Sequence, residues 1–207
     1  MRPVALNPTE ERVASACDRY IGIALKNQSR EDVPEALFVG GRMYYQHNMF
    51  DKAGDRLVNL IERFPEHALA VTAARMMMSS YALGQDGKNL IKWTNKLIDD
   101  PRFTAGSPDA VTFKGILTEI KSNEEYNKCL ELRDEPEKAA ECLKTYAAKF
   151  PDDRKQAARA VVGAADFYRR AKKRDAVIGM YQELARNFPE DERAAQASLE
   201  VAEIYLQ

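Results

Sequence analysis

The sequence predicts an all-α protein built from repeated pairs of antiparallel helices, and three observations carry that prediction. The first is a recurring turn. Phe64-Pro65-Glu66, Phe150-Pro151-Asp152 and Phe188-Pro189-Glu190 each follow an amphipathic run and precede an Ala-rich run that reaches a tyrosine. The second is a fixed distance, since Tyr81, Tyr168 and Tyr205 lie 16, 17 and 16 residues after those prolines. The third is a second register of about 37 residues, in which Ala16-Cys17-Asp18-Arg19-Tyr20 recurs as Ala53-Gly54-Asp55-Arg56-Leu57 and Tyr44 recurs as Tyr81. A period of that length marks stacked units, each able to hide its apolar face only against a neighbour.

Each unit divides into two helices. An apparent helix around Val13 to Lys26 comes first. The runs Glu35 to Tyr45, Asp51 to Phe64, Pro136 to Phe150, Asp153 to Tyr168 and Arg174 to Phe188 then place apolar and small residues three or four apart, one buried stripe per helix. Alternating strand patterns are missing. Proline after phenylalanine disfavours continued helix, and the acidic residue behind it suits the positive end of the next one. Each Phe-Pro-acid is therefore a turn, with its phenylalanine clamped into the neighbouring pair. Gly41 and Ala53, Asn127 and Ala139, and Ala165 and Val177 stand 12 residues apart across a short turn, so each pair is predicted to meet where two helices cross. Glycine inside a helix costs about 1 kcal/mol against alanine, and close backbone contact is the reason predicted for Gly40-Gly41.

Composition narrows the classes of function. The chain has 207 residues, 45% hydrophobic and 30% charged, as a folded globular protein has. Its net charge of −1 supplies no field to draw in nucleic acid or anionic lipid. No run of 18 apolar residues occurs, and Met1 to Pro8 lacks the apolar core of a signal peptide, so the chain reads as cytoplasmic or as a mature segment of something longer. Three cysteines are too few for a disulfide scaffold and do not define a compartment. Cys129 and Cys142 stand equidistant from a turn near Glu135 and Pro136. They could meet across a hairpin, but two buried free thiols are the favoured reading.

Two irregularities bear on domain organisation. Pro101 and Pro151 are 50 residues apart, about 13 more than one unit needs, and Arg102 to Pro108 reads as a loop, so an insertion near 102–118 or a lengthened helix is expected. The chain opens on a second helix and closes on a first one at Tyr205-Leu206-Gln207. Residues 1–207 are thus read as a single helical-repeat domain that is a fragment of a longer array.

The residues resemble the tetratricopeptide repeat family over most of the chain. Leu37, Gly41, Tyr44, Ala53, Leu57 and Pro65 follow that family's order of large, small, aromatic, small, apolar and closing proline. Val161, Ala165, Tyr168 and Pro189 fit again. There Ala176 falls one residue early and Val177 takes its place, and Leu130 replaces the tyrosine ahead of Ala139, Leu143 and Pro151. The resemblance implies a right-handed α-solenoid whose first helices line a concave surface that binds a protein or peptide. On the positions the family uses, that surface presents Phe38, Arg42, Tyr45, Arg75, Lys128 and Arg169. Tyrosine and arginine favour interface hot spots, and guanidinium groups suit acidic groups on a partner. The period, longer than the family's usual ~34 residues, and the Phe-Pro-acid closure are similar to bacterial envelope members of the outer-membrane-assembly lipoprotein and TolA-binding coordinator types. That implies a scaffold in the periplasm or cell envelope, with the cytoplasm as the alternative. A second reading is a stacking module of a larger assembly such as an envelope-spanning motility machine, and a third is an interaction domain attached to a separate catalytic domain.

Chemistry-bearing clusters point away from catalysis, a metal, a cofactor or a small-molecule substrate. His47 and His67 fall at turns of different units, which fits neither a zinc site nor a Ser-His-Asp arrangement. Gly84-Gln85-Asp86-Gly87-Lys88 lacks phosphate-loop spacing and reads as a linker turn. Glu124-Glu125 and Asp152-Asp153 are adjacent rather than facing. The run Arg169-Arg170-Ala171-Lys172-Lys173-Arg174 places five cations where one helix ends and the next begins, so compensation of the helix terminus is favoured over nucleic-acid binding. Met76-Met77-Met78 spans about 200° of a helix, so one or two of the three are predicted to pack inside.

Overall fold

A computed structural model describes residues 2–26 and 32–206. Those residues form eleven helices and no strand, in agreement with the all-α expectation. In order they are α1 (Pro8–Lys26), α2 (Val33–Gln46), α3 (Phe50–Arg63), α4 (Ala70–Leu83), α5 (Gly87–Leu97), α6 (Pro101–Thr104), α7 (Pro108–Glu131), α8 (Pro136–Lys149), α9 (Arg154–Arg170), α10 (Arg174–Asn187) and α11 (Arg193–Leu206). Consecutive helices pack pairwise: α1 to α5 in sequence, and α8 to α11 in sequence. The chain divides into two compact units, Met1–Lys121 and Ser122–Gln207, with the boundary inside α7.

The predicted turns share one geometry. Phe64, Phe150 and Phe188 each follow the last residue of a helix with φ of −134°, −119° and −133°, and each donates its N–H to the carbonyl four residues back. With ψ of 53°, 56° and 53° each has left the helical region, which the following proline disfavours. Phe188 is buried, and Phe64 and Phe150 pack against their units' cores. The acid of each tripeptide, however, does not cap the next helix. Asp153 accepts from the Gln156 N–H at the start of α9 and Asp191 from the Arg193 N–H at α11, because the chain needs one to several residues beyond the proline to swing into the new helix axis.

In the first unit Leu57 and Leu60 on α3, Met77 on α4, Phe103 on α6 and Phe113 and Leu117 on α7 fill the core. Met77 and Met78 are both buried and Met76 is half-buried, as the angular spread of three consecutive residues requires. The glycine pair marks the closest helix approach. A Cβ at Gly40 would come 3.0 Å from Arg56 Cδ, and one at Gly41 only 2.8 Å from Leu57 Cδ2 and 3.6 Å from the Ala53 carbonyl. Leu57 is wholly buried and has nowhere to retreat. Gly41→Ala should therefore destabilise by about 1–2 kcal/mol, overpacking outweighing alanine's helix preference. A lower urea midpoint would show this, and a raised one would refute it.

In the second unit the Ala-rich α9 buries Ala157, Ala158, Ala160, Ala164 and Ala165 between α8 and α10, where small side chains let the backbones close in. Leu143, Val161 and Leu184 complete the core. Ala165 and Val177 are both buried there, as predicted for a crossing pair. Asn127 is not: its side chain is exposed, and α7 meets α8 instead through Tyr126 and Cys129. The favoured reading of two free thiols is overturned as well. Cys129 and Cys142 are joined in a disulfide with Cα atoms 5.3 Å apart, because α7 and α8 diverge from the turn with both Cβ atoms facing inward. Cys17 remains a free thiol.

The surplus residues between Pro101 and Pro151 go into α6 and the 24-residue α7, the lengthened helix that was one of the two expectations. Arg102 to Pro108 is only partly loop, since Pro101–Thr104 forms a short helix with Phe103 buried. Gly106, at φ +84°, makes the reversal into α7, a conformation that costs glycine little.

Candidate partner-binding faces

The six residues predicted to line a groove fall on both units. Phe38, Arg42 and Tyr45 stand on α2 and Arg75 on α4, all in the first unit, where α2 and α4 are in contact. Lys128 on α7 and Arg169 on α9 belong to the second. The spacing of three and four residues on α2 puts Phe38, Arg42 and Tyr45 along one side of the helix. Arg42 is exposed, with its guanidinium 6.0 Å from the Phe38 ring centroid. Tyr45 is half-buried and meets Phe50 edge to face at 5.8 Å.

Charge on these residues is largely spoken for. Arg75 faces Asp109 at 3.5 Å, near the start of α7. Lys128 holds Glu124 at 2.5 Å, and that hydrogen bond keeps its ammonium pKa above the ordinary value. Arg169 pairs with Glu200 and with Asp166 and donates to the Tyr181 hydroxyl at 2.5 Å. Of the four cations, Arg42 alone forms no ion pair among the described residues. No family-specific signal in the sequence announces these internal carboxylates, which come from other helices or from the preceding turn.

The basic run Arg169 to Arg174 straddles the α9–α10 turn, with Arg169 and Arg170 in the last turn of α9, where cations offset the carbonyl end of the helix. Arg170 donates to the Arg133 carbonyl, Lys173 pairs with Glu137 at 2.9 Å and Arg174 donates to the Ile204 carbonyl. Four of the run's residues, Arg169, Lys172, Lys173 and Arg174, border an open cleft of about 580 Å³ together with Val177 on α10 and Glu200, Glu203 and Ile204 on α11. The run was visible in the sequence, whereas its apolar floor of Val177 and Ile204 was not.

The remaining sequence features resolve into structure. Gly84 to Asp86 is the turn between α4 and α5, Gly87 and Lys88 open α5, and Asp86 caps that helix by accepting from the Asn89 N–H at 3.0 Å, which holds its carboxyl below the usual range. His47 meets Glu10 at 3.1 Å, and His67 meets Glu35 at 3.3 Å while its Nδ1 accepts from the Leu69 N–H. Arg56, which the repeat register only aligned with Arg19, lies over the Tyr44 ring at 4.4 Å and binds Asp18 at 2.7 Å, fastening α3 to α1. None of the described residues forms a helix long and apolar enough to cross a membrane.

Tyr81, Tyr168 and Tyr181, all buried, are protonated anchors. Burial pushes the Tyr81 and Tyr181 hydroxyls up to about 12, and burial with the Glu141 carboxylate pushes Tyr168 higher still. A folded-state pKa above the unfolded value near 10 contributes stability that is fully present below pH ~10 and is lost as pH rises through the folded value. Thermal midpoints should therefore hold to about pH 10 and fall between roughly pH 10 and 12. A flat profile across that window would contradict the burial of these hydroxyls.

The chain is thus an all-helical protein of successively packed helices. No known protein family and no curated protein matches it.

Proposed function

We propose that the chain is a right-handed α-solenoid of the tetratricopeptide repeat type that works as a protein–protein interaction scaffold. It binds a peptide or protein bearing acidic groups on the face formed by its first helices. The observation that carries this reading is the row Phe38, Arg42 and Tyr45 on α2, where an exposed arginine with no carboxylate partner among the described residues falls between two aromatic residues of the row. Such a residue has its guanidinium fork available for a partner, whereas Arg75, Lys128 and Arg169 would each have to exchange one carboxylate for another. The work is binding rather than catalysis. A periplasmic or other envelope location agrees with the Cys129–Cys142 disulfide, since such bonds persist in oxidising compartments.

The test is Arg42→Glu, a substitution that breaks no ion pair among the described residues. Partners co-purified from the native source should be lost or weakened by about tenfold or more, the effect of about 1.4 kcal/mol. Arg75→Glu should add to the loss. Undiminished recovery of the same partners with both substitutions sinks the groove.

A further inference from the structure

Two helices carry exposed apolar rows that the partner-binding reading does not use. On α1, Val13, Ala16, Tyr20 and Ile23 follow one another at steps of three, four and three residues, apart from the buried Ala14 and Ala24. Val13 is 41% exposed and Ile23 60%. On α11, Ala195, Leu199, Ala202 and Leu206 follow at steps of four, three and four, opposite the buried Ala194 and Ala197. Leu199 is 61% exposed and Leu206 88%. A three–four alternation is the spacing of a seam in which side chains of one helix enter gaps between those of another.

The charges beside the two rows are opposite. On α1, Glu10 is engaged by His47 and Asp18 by Arg56, and Arg12, Arg19 and Lys26 run along one edge of the row at intervals of seven. None of these three cations forms an ion pair among the described residues. On α11, Arg193 is held by Asp191 and Glu200 by Arg169, leaving Glu203 and, just ahead of the helix, Glu192 without a partner among the described residues.

We propose that α11 of one copy packs against α1 of a second copy, so that chains associate head to tail through two different faces. Placing α1 on α1 would set the Arg12, Arg19 and Lys26 row against itself, and placing α11 on α11 would oppose Glu192 and Glu203 to their own kind. Only the unlike pairing brings opposite charges together beside two matching apolar seams. A 14-residue helix offers a contact about 21 Å long, so the association is small, reversible and dependent on concentration and salt. Because each copy keeps one free face, the contact does not close and leads to open chains of copies.

Sedimentation velocity on the 207-residue chain tests this. The weight-average mass should rise at least about twofold with concentration and fall back on addition of salt. Leu199→Lys removes the α11 face and Val13→Asn with Ile23→Asn removes the α1 face; all three sites are exposed, and circular dichroism checks that the helices persist. Each variant alone should remain a single chain, and the two mixed should form a dimer that grows no further, joined through the one intact face on each. A single-chain mass for the unmodified protein at every concentration would overturn the proposal, as would a variant that still pairs with itself. Arg42→Glu should leave this self-association untouched, so failure here and failure of the groove are told apart.

Discussion

Leu57→Ala is expected to destabilise the first unit by about 3–5 kcal/mol, the upper range for a leucine removed from a site that cannot collapse. Leu57 is wholly buried on α3, within the cluster that holds Leu37, Leu60 and Met77, and the helices flanking it on both sides are α2 and α4. Relaxation inward is limited because Gly41 and Ala53 already set the backbones at close approach. Trp93, the only tryptophan, is buried in the same unit, so its fluorescence in a urea titration reads this unit directly. Gly41→Ala supplies a sharper check. Its new Cβ would enter the space vacated by the Leu57 methyls, so Gly41→Ala combined with Leu57→Ala should be less destabilising than the sum of the two by more than about 0.5 kcal/mol. Strict additivity would mean that the two side chains do not meet. Val111→Ala, at a site 61% exposed, is the control and should change little.

Removing the disulfide by Cys129→Ala with Cys142→Ala should destabilise the second unit by about 3 kcal/mol, the loop-closure value for a link across 13 residues. Alanine at both positions leaves no buried polar group behind. The loss should be read in the helical circular dichroism of α8 to α10, while the Trp93 transition stays in place. A thiol titration of the unreduced, unfolded chain offers an independent readout. One reactive thiol, from Cys17, is expected. Three reactive thiols in protein prepared under oxidising conditions would refute the pairing, and with it the strongest support for an envelope location.

The order of helices could be read because each helix needs an apolar face of its own, and Phe64, Phe150 and Phe188 punctuate the chain through a local clash with the following proline. That Gly41 needs a close helix neighbour was legible too, since glycine inside a helix has a cost that demands one, but the reading paired it with Ala53, and the nearest side chain is Leu57. Asn127 misled because spacing from a turn sets axial height but not which way a side chain faces on a lengthened helix, and α7 is 24 residues long. The candidate faces were legible in part. That Phe38, Arg42 and Tyr45 share one side of α2 follows from helical geometry, whereas the carboxylates that occupy Arg75, Lys128 and Arg169 did not.

By itself, then, the sequence determined the class of element, six of the helical runs in their order and the positions of the Phe-Pro turns, all of which depend on interactions within a few residues of one another. Tertiary structure decided the Cys129–Cys142 bond, the pairing of Arg56 with Asp18, the neutralisation of three of the four cations expected on the binding face and the opposite charges left beside the rows on α1 and α11. Those outcomes depend on the angle at which two helices meet. That angle is set by the packing of many side chains at once rather than by any local run of residues.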